Sequence, residues 1–158
     1  VKLSVLGADW LPASSTLVEN VQKAVDPPPN QGLGLGMAPI GAQVTVVAPT
    51  ELTVNVSATV TLASGYEIGQ VQQPIEDAIE AYLLTVRQAW DTNTSTTSVV
   101  YAADVYLARV TAAIVGVTGV VNATNVQLNG GTADLILTES GATQQVPVMG
   151  TVSLSAGT

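Results

Sequence analysis

Leu52-Thr53-Val54-Asn55-Val56-Ser57-Ala58-Thr59-Val60-Thr61-Leu62 is the stretch on which the fold of this chain turns. Its apolar and small residues fall at every second position with polar residues between them, the two-residue period of a strand with one buried and one wet face. After the Ser64-Gly65 turn the period changes. Ile68, Val71, Ile75, Ala78, Ile79, Tyr82, Leu83, Val86 and Trp90 recur at three-and-four spacing, which predicts an amphipathic helix. Pro74 removes one backbone donor inside this pattern, so the helix is expected either to kink there or to begin its regular part there.

Toward the C-terminus, Asp91–Ser98 reads as a polar, exposed loop. A second helix is expected from about Ala102 to Val115, with Val105, Tyr106, Leu107, Val110, Ala113 and Ile114 on its apolar face and Gly116 and Gly119 ending it. Three strands follow: Val120–Leu128, Asp134–Thr138 and Gln145–Leu154, the first pair joined by the turn residues Asn129-Gly130-Gly131. The simplest packing is two helices on one face of an antiparallel sheet.

Toward the N-terminus, Lys2–Leu6 reads as a strand and Gly7–Ala13 as a loop. Ser14 or Ser15 is placed to cap a helix carrying Leu17, Val18, Val21 and Val25, which stops before Pro27-Pro28-Pro29. Asn30–Pro39 reads as a flexible, Gly-rich connector and Gln43–Val47 as a second strand. The expected class is α+β, built from two small α/β sandwich units: a βαβ unit over 1–49, too small to close its own core, and a strand-helix-helix-three-strand unit over 50–158. No period of 20–50 residues repeats, which argues against a solenoid.

Composition narrows the function. Four basic against twelve acidic residues give a net charge of −8, which repels nucleic-acid phosphates and anionic membrane surfaces, so neither is expected as a partner. The chain contains no His and no Cys, which removes disulfides, thiolate nucleophiles, imidazole bases and the usual zinc or copper ligands. Ser and Thr are abundant, but without His only a Lys or an unusual carboxylate could activate one of them, and neither Lys2 nor Lys23 sits in a recognisable motif. No catalytic, metal or cofactor site is expected.

Several motifs reduce to plainer readings. Gly32-Leu33-Gly34-Leu35-Gly36 lacks the following helix that a phosphate-cradling loop requires. Glu76, Asp77 and Glu80 lie within about a turn of one another, where a solvated helix face is the simpler reading and no calcium-loop spacing is present. Asn55-Val56-Ser57 and Asn122-Ala123-Thr124 match the glycosylation pattern but read as strand residues. Trp10, in a loop, is the candidate interface anchor, with a core plug at the end of the first strand as its alternative. Trp90 belongs to the helical stripe. The opening Val1-Lys2-Leu3 has neither an initiator Met nor the layout of a signal peptide, so an internal fragment of a longer protein is expected.

The run Gln31-Gly32-Leu33-Gly34 through Ala38-Pro39-Ile40-Gly41-Ala42-Gln43-Val44-Thr45-Val46, then the alternating strand, Ser64-Gly65-Tyr66 and a helix ending in Ala81-Tyr82-Leu83, resembles baseplate J-like proteins of contractile phage tails. The distal half follows the order of that family's C-terminal portion: the helix around Ala103–Ile114, Gly119-Val120-Val121-Asn122, Asn125 through Gly130, and Val146-Pro147-Val148-Met149-Gly150-Thr151-Val152. The resemblance implies that 1–49 is a truncated unit of the family's middle domain and 50–158 its C-terminal domain. It also implies a structural component of the baseplate wedge and not an enzyme, bound to other wedge and hub proteins, with homo-oligomeric contacts in the assembled baseplate. The expected location is the virion tail baseplate, reached from the host cytoplasm during assembly. The alternative is a binding or adhesion module of a secreted or surface protein, suggested by the acidity and the Thr/Val/Ser-rich strands.

Overall fold

The structure is a computed structural model that describes residues 1–89, 93–94, 99–100, 104–138, 140 and 142–157. The elements run β1 (Lys2–Ser4), α1 (Ser15–Val25), β2 (Thr45–Val47), β3 (Thr50–Leu62), α2 (Ile68–Gln88), β4 (Asn93–Thr94), β5 (Val99–Val100), α3 (Leu107–Val115), β6 (Val120–Leu128) and β7 (Gln145–Ala156). The fold is α+β. The chain divides into two compact units, one of Val1–Glu51 with Glu139–Val146, the other of Leu52–Thr138 with Pro147–Thr158.

In the second unit β3 is the central strand of a three-stranded sheet, ordered β6-β3-β7. Its alternation is obeyed: Val54, Val56, Ala58 and Val60 are buried, and the residues between them are exposed or half-buried. Onto that apolar face α2 lays Val71, Ile75, Ile79 and Leu83, a row at i, i+4 spacing, and α3 adds Val110 and Ile114. Val105, Val126, Leu128 and Leu137 complete the same core. Each such side chain contributes about 1.5–3 kcal/mol when withdrawn from water, so this cluster is the main source of the unit's stability.

The sheet is mixed, where the sequence suggested antiparallel pairing throughout. β3 and β6 are antiparallel, with Val56 opposite Leu128 and Leu62 opposite Val120. On the other side the contacts advance together: Thr151 meets Asn55, Ser155 meets Thr59, and the Gly157 N–H donates to the Val60 carbonyl at 2.8 Å. β7 therefore runs parallel to β3. Its alternating face is the same in either direction, so periodicity could not decide it.

Two further expectations are corrected. Asp134–Thr138 is not a strand; Leu135 makes a single antiparallel bridge to Val105, through N–H to carbonyl bonds of 3.0 and 2.9 Å. That bridge also holds Val105 out of the second helix, which begins at Leu107 and not near Ala102. The first turn of α3 is instead capped from elsewhere: the Asp134 carboxylate accepts from the Leu107 N–H at 2.8 Å and the Tyr82 hydroxyl accepts from the Tyr106 N–H at 3.0 Å. Asp104 returns the arrangement by accepting from the Leu137 N–H at 3.1 Å.

α2 starts at Ile68, well before Pro74, which lies inside it. Gln70 turns back at its start and accepts from the Glu67 N–H at 2.8 Å, so the entry is fixed upstream of the proline. Before α2, Gly119 comes against the Tyr66 ring. Its φ is +96° and a methyl group there would lie 2.3 Å from Tyr66 Cδ1, so only glycine fits. Of the Asp91–Ser98 loop, only the pairing of Asn93 and Thr94 with Val100 and Val99 falls within the described residues; Trp90 and the predicted helix start at Ala102 lie outside them.

The first unit carries the expected β1-α1-β2 order, with β1 and β2 parallel and Lys2 opposite Thr45. Ser14 caps α1, its hydroxyl accepting from the Leu17 N–H at 3.2 Å.

Truncating the α2 row tests this account of the core. Ile79→Ala and Leu83→Ala should each lower the unfolding free energy by about 2–5 kcal/mol in urea titration, whereas Val121→Ala, on an exposed side chain, should change it by no more than about 0.5 kcal/mol.

Candidate interaction surfaces

The Gly-rich stretch after α1 is an ordered loop. It is closed at its base, where the Gly41 N–H donates to the Gly32 carbonyl at 2.8 Å, giving the compact form of an Ω-loop. Asp26, just past the end of α1, holds it from within. Asp26 is 1% exposed, and its two carboxylate oxygens accept from the Gly32 N–H at 2.8 Å and the Val44 N–H at 2.9 Å. One turn earlier, Gln22 accepts from the Val46 N–H at 2.8 Å and donates to the Val44 carbonyl at 2.9 Å.

The loop also finishes the helix. The Met37 and Ala38 N–H groups donate to the Ala24 and Val25 carbonyls at 3.0 and 2.8 Å, satisfying acceptors that the end of α1 leaves open. Gly36 allows that approach, since a Cβ there would sit 2.5 Å from the Val25 oxygen. The amides at Gly32, Met37, Ala38 and Gly41 are thus bonded within the chain itself.

What the loop presents outward is apolar. Leu33, Leu35, Met37 and Ile40 are 59, 64, 82 and 83% exposed. Trp10 lies in the same unit, 38% exposed with φ of +62°, in a tight loop where the Gly7 N–H donates to the Leu11 carbonyl at 2.7 Å and Leu6 bridges Pro12. It is not sealed in the core.

In the second unit the sheet face opposite the helices is polar and already cross-linked. Asn129 accepts from the Asn55 N–H at 2.8 Å and donates to the Thr53 carbonyl at 2.9 Å. Asn55 in turn accepts from the Thr151 N–H and hydroxyl at 3.0 and 3.1 Å. Two open depressions on this face are lined by Thr53, Asn55, Ser57 and Thr151 and by Thr59, Asn125, Gln127 and Ser155, with no charged side chain in either. Asn55 and Asn122 both sit in strands.

The acidic residues of α2 are not gathered into one site. Gln72 donates to Glu76, Gln73 donates to Asp77 at 2.9 Å, and Glu80 pairs with the guanidinium of Arg87. Arg87, 2% exposed, also donates to the Pro147 carbonyl at 3.0 Å, and Gln72 to the Val152 carbonyl at 2.9 Å, so α2 side chains hold β7. Lys2 donates to the Ala142 carbonyl at 2.6 Å. Tyr82, beside Tyr106 and Arg109 in a crevice between α2 and α3, has its hydroxyl raised above 10.0, mainly by burial and against the lowering effect of the Tyr106 N–H. Among the described residues no group of three or more His, Cys, Asp or Glu side chains could hold a metal ion, and no helix is long and apolar enough to cross a membrane.

The second unit's elements, in their order along the chain, coincide with a known domain: residues 54–155 match the Baseplate J-like protein C-terminal domain. The chain belongs to the baseplate J-like family. The phage-like element PBSX protein XkdT of Bacillus subtilis (strain 168) is 29% identical over 154 residues, which cover 98% of this chain and 39% of that protein. The uncharacterized protein YqbT of the same strain is 42% identical over 79 residues, 50% of this chain and 22% of its own length. The chain thus spans less than half the length of the curated relatives it matches. Family and phage-element relative together support a structural role in a phage tail.

Asp26 and Gln22 were not singled out by the sequence, because a lone acid after a helix gives no sign of the distant amides it will meet. Asp26→Ala removes two charge-assisted bonds worth about 1.5–3 kcal/mol each. Amide exchange at Gly32 and Val44 should accelerate by at least an order of magnitude, with exchange at Val54 and Val60 unchanged.

Proposed function

We propose that this chain is part of a baseplate wedge, working by contact with other wedge and hub proteins in the virion tail and incorporated during assembly in the host cytoplasm. The observation that carries this reading is the match over 54–155, which takes in the buried positions of β3 at one end and β7 at the other. The polar sheet face, with its groups bound to one another and no charge, suits contact and not turnover. Homo-oligomeric contacts within the assembled baseplate belong to the same reading, and Trp10 is the aromatic anchor proposed for one of these interfaces. A standard interface takes about 800 Å² from each partner, a large share of so small a surface.

Light scattering behind size-exclusion chromatography tests the wedge role. The polypeptide encoded by the whole gene, mixed with the tail proteins encoded beside it, should elute as a stable complex, and Trp10→Ala should weaken that complex at least about tenfold. A protein that stays monomeric and ignores every neighbouring tail protein would sink the proposal.

We further propose that 50–158 is a domain able to fold by itself, since its core draws on β3, α2, α3 and β6. Limited proteolysis should cut first on the N-terminal side of Leu52 and leave a resistant fragment holding β3 through β7. Rapid degradation throughout that fragment would count against it.

A further inference from the structure

The hydrogen bonds that shape the Ω-loop use none of its four outward side chains, although Ile40 also lies against Gly34. Asp26, Gln22 and the end of α1 fix its backbone through polar bonds, and nothing in that scaffold requires Leu33, Leu35, Met37 or Ile40 to be apolar. Water is a poor solvent for such a group, and apolar patches of a few hundred Å² on a folded protein commonly mark a contact. No charged residue occurs from Pro27 to Thr50 in a chain of net charge −8, so the patch suits an uncharged, apolar surface. The first unit around it is short of cover as well. Its parallel strands are three residues each, and α1 has no buried residue, although parallel sheets are ordinarily covered on both faces.

We propose that the outer side of this loop is a docking surface occupied by further polypeptide of the same subunit, the counterpart of the region that the longer relative carries outside its match. Four side chains fall below the roughly 800 Å² per partner of a stable interface between separate molecules, which disfavours a second copy held by this loop alone. A tethered partner meets the patch at an effective concentration in the millimolar range, where a small apolar contact suffices. The relative aligns with nearly all of this chain over only 39% of its own length, so such polypeptide exists in the family. The inference rests on family membership and not on the wedge reading.

Met37 supplies the probe, with the half-buried Met149 as internal reference. Dilute hydrogen peroxide followed by peptide mass spectrometry should oxidise Met37 readily in the 158-residue chain and at least about tenfold more slowly in the monomeric polypeptide encoded by the whole gene. Leu35→Ser should leave the melting temperature of the 158-residue chain unchanged but lower that of the whole gene product by about 2–8 °C. Equal Met37 reactivity in both proteins would overturn the proposal. So would protection that arises only in a homodimer, or only after neighbouring tail proteins are added; that last result would leave the wedge reading standing. Protection in a monomer that binds no neighbour would support this inference while removing the wedge role.

Discussion

The one-sided burial of β3 is the constraint on which the second unit depends. A strand at the centre of a sheet, with valines on one face and Thr, Asn and Ser on the other, can be placed in only one way, since a slip of one residue would put hydroxyls and amides into the core. That choice determines which side α2 and α3 occupy. It also leaves the opposite face to side chains that bind one another, and Asn55 links the turn residue Asn129 to Thr151 of β7 across that face, a few residues from where the β3–β6 ladder is disturbed. β6 contains such a disturbance: three of its steps, from Gln127 to Thr124, face two on β3, and Asn125 absorbs the extra residue at a φ of +51°.

The features legible in the sequence are those whose cause is local. The two-residue period of β3, the three-and-four period of α2, the Ser14 cap and the proline stop after α1 are each set by neighbours in the chain, and all appear in the structure. The features that were not legible are set at long range. Whether β7 lies parallel or antiparallel to β3 depends on the path of the chain between them. The shortening of α3 follows from the bridge between Val105 and Leu135 and from Asp134 and Tyr82, partners brought to it from other elements. The glycine run misled in the same way, because its meaning lies in a carboxylate and two helix carbonyls that sequence spacing does not reveal.

The surfaces follow a similar division. On the candidate residues the sequence was informative about chemistry but not about place: without His or Cys, the question shifted from reaction to contact. Trp10 was open between anchor and core plug, and its tight loop, positive φ and partial exposure remove it from the core. The acids of α2 each took a separate partner, and Arg87 became a buried tie to β7, a role that no periodic pattern marks because an arginine near a helix end ordinarily points to water.

The Ω-loop separates the groups that give it shape from those it displays. Asp26 and Gln22 bind backbone atoms, so the bonds that hold the loop do not call on the side chains at positions 33, 35, 37 and 40. Replacements at those positions therefore leave the bonds that close the loop in place, and their cost falls on the contact the loop makes. A lineage could retune that contact by single steps while the loop's own backbone stays held.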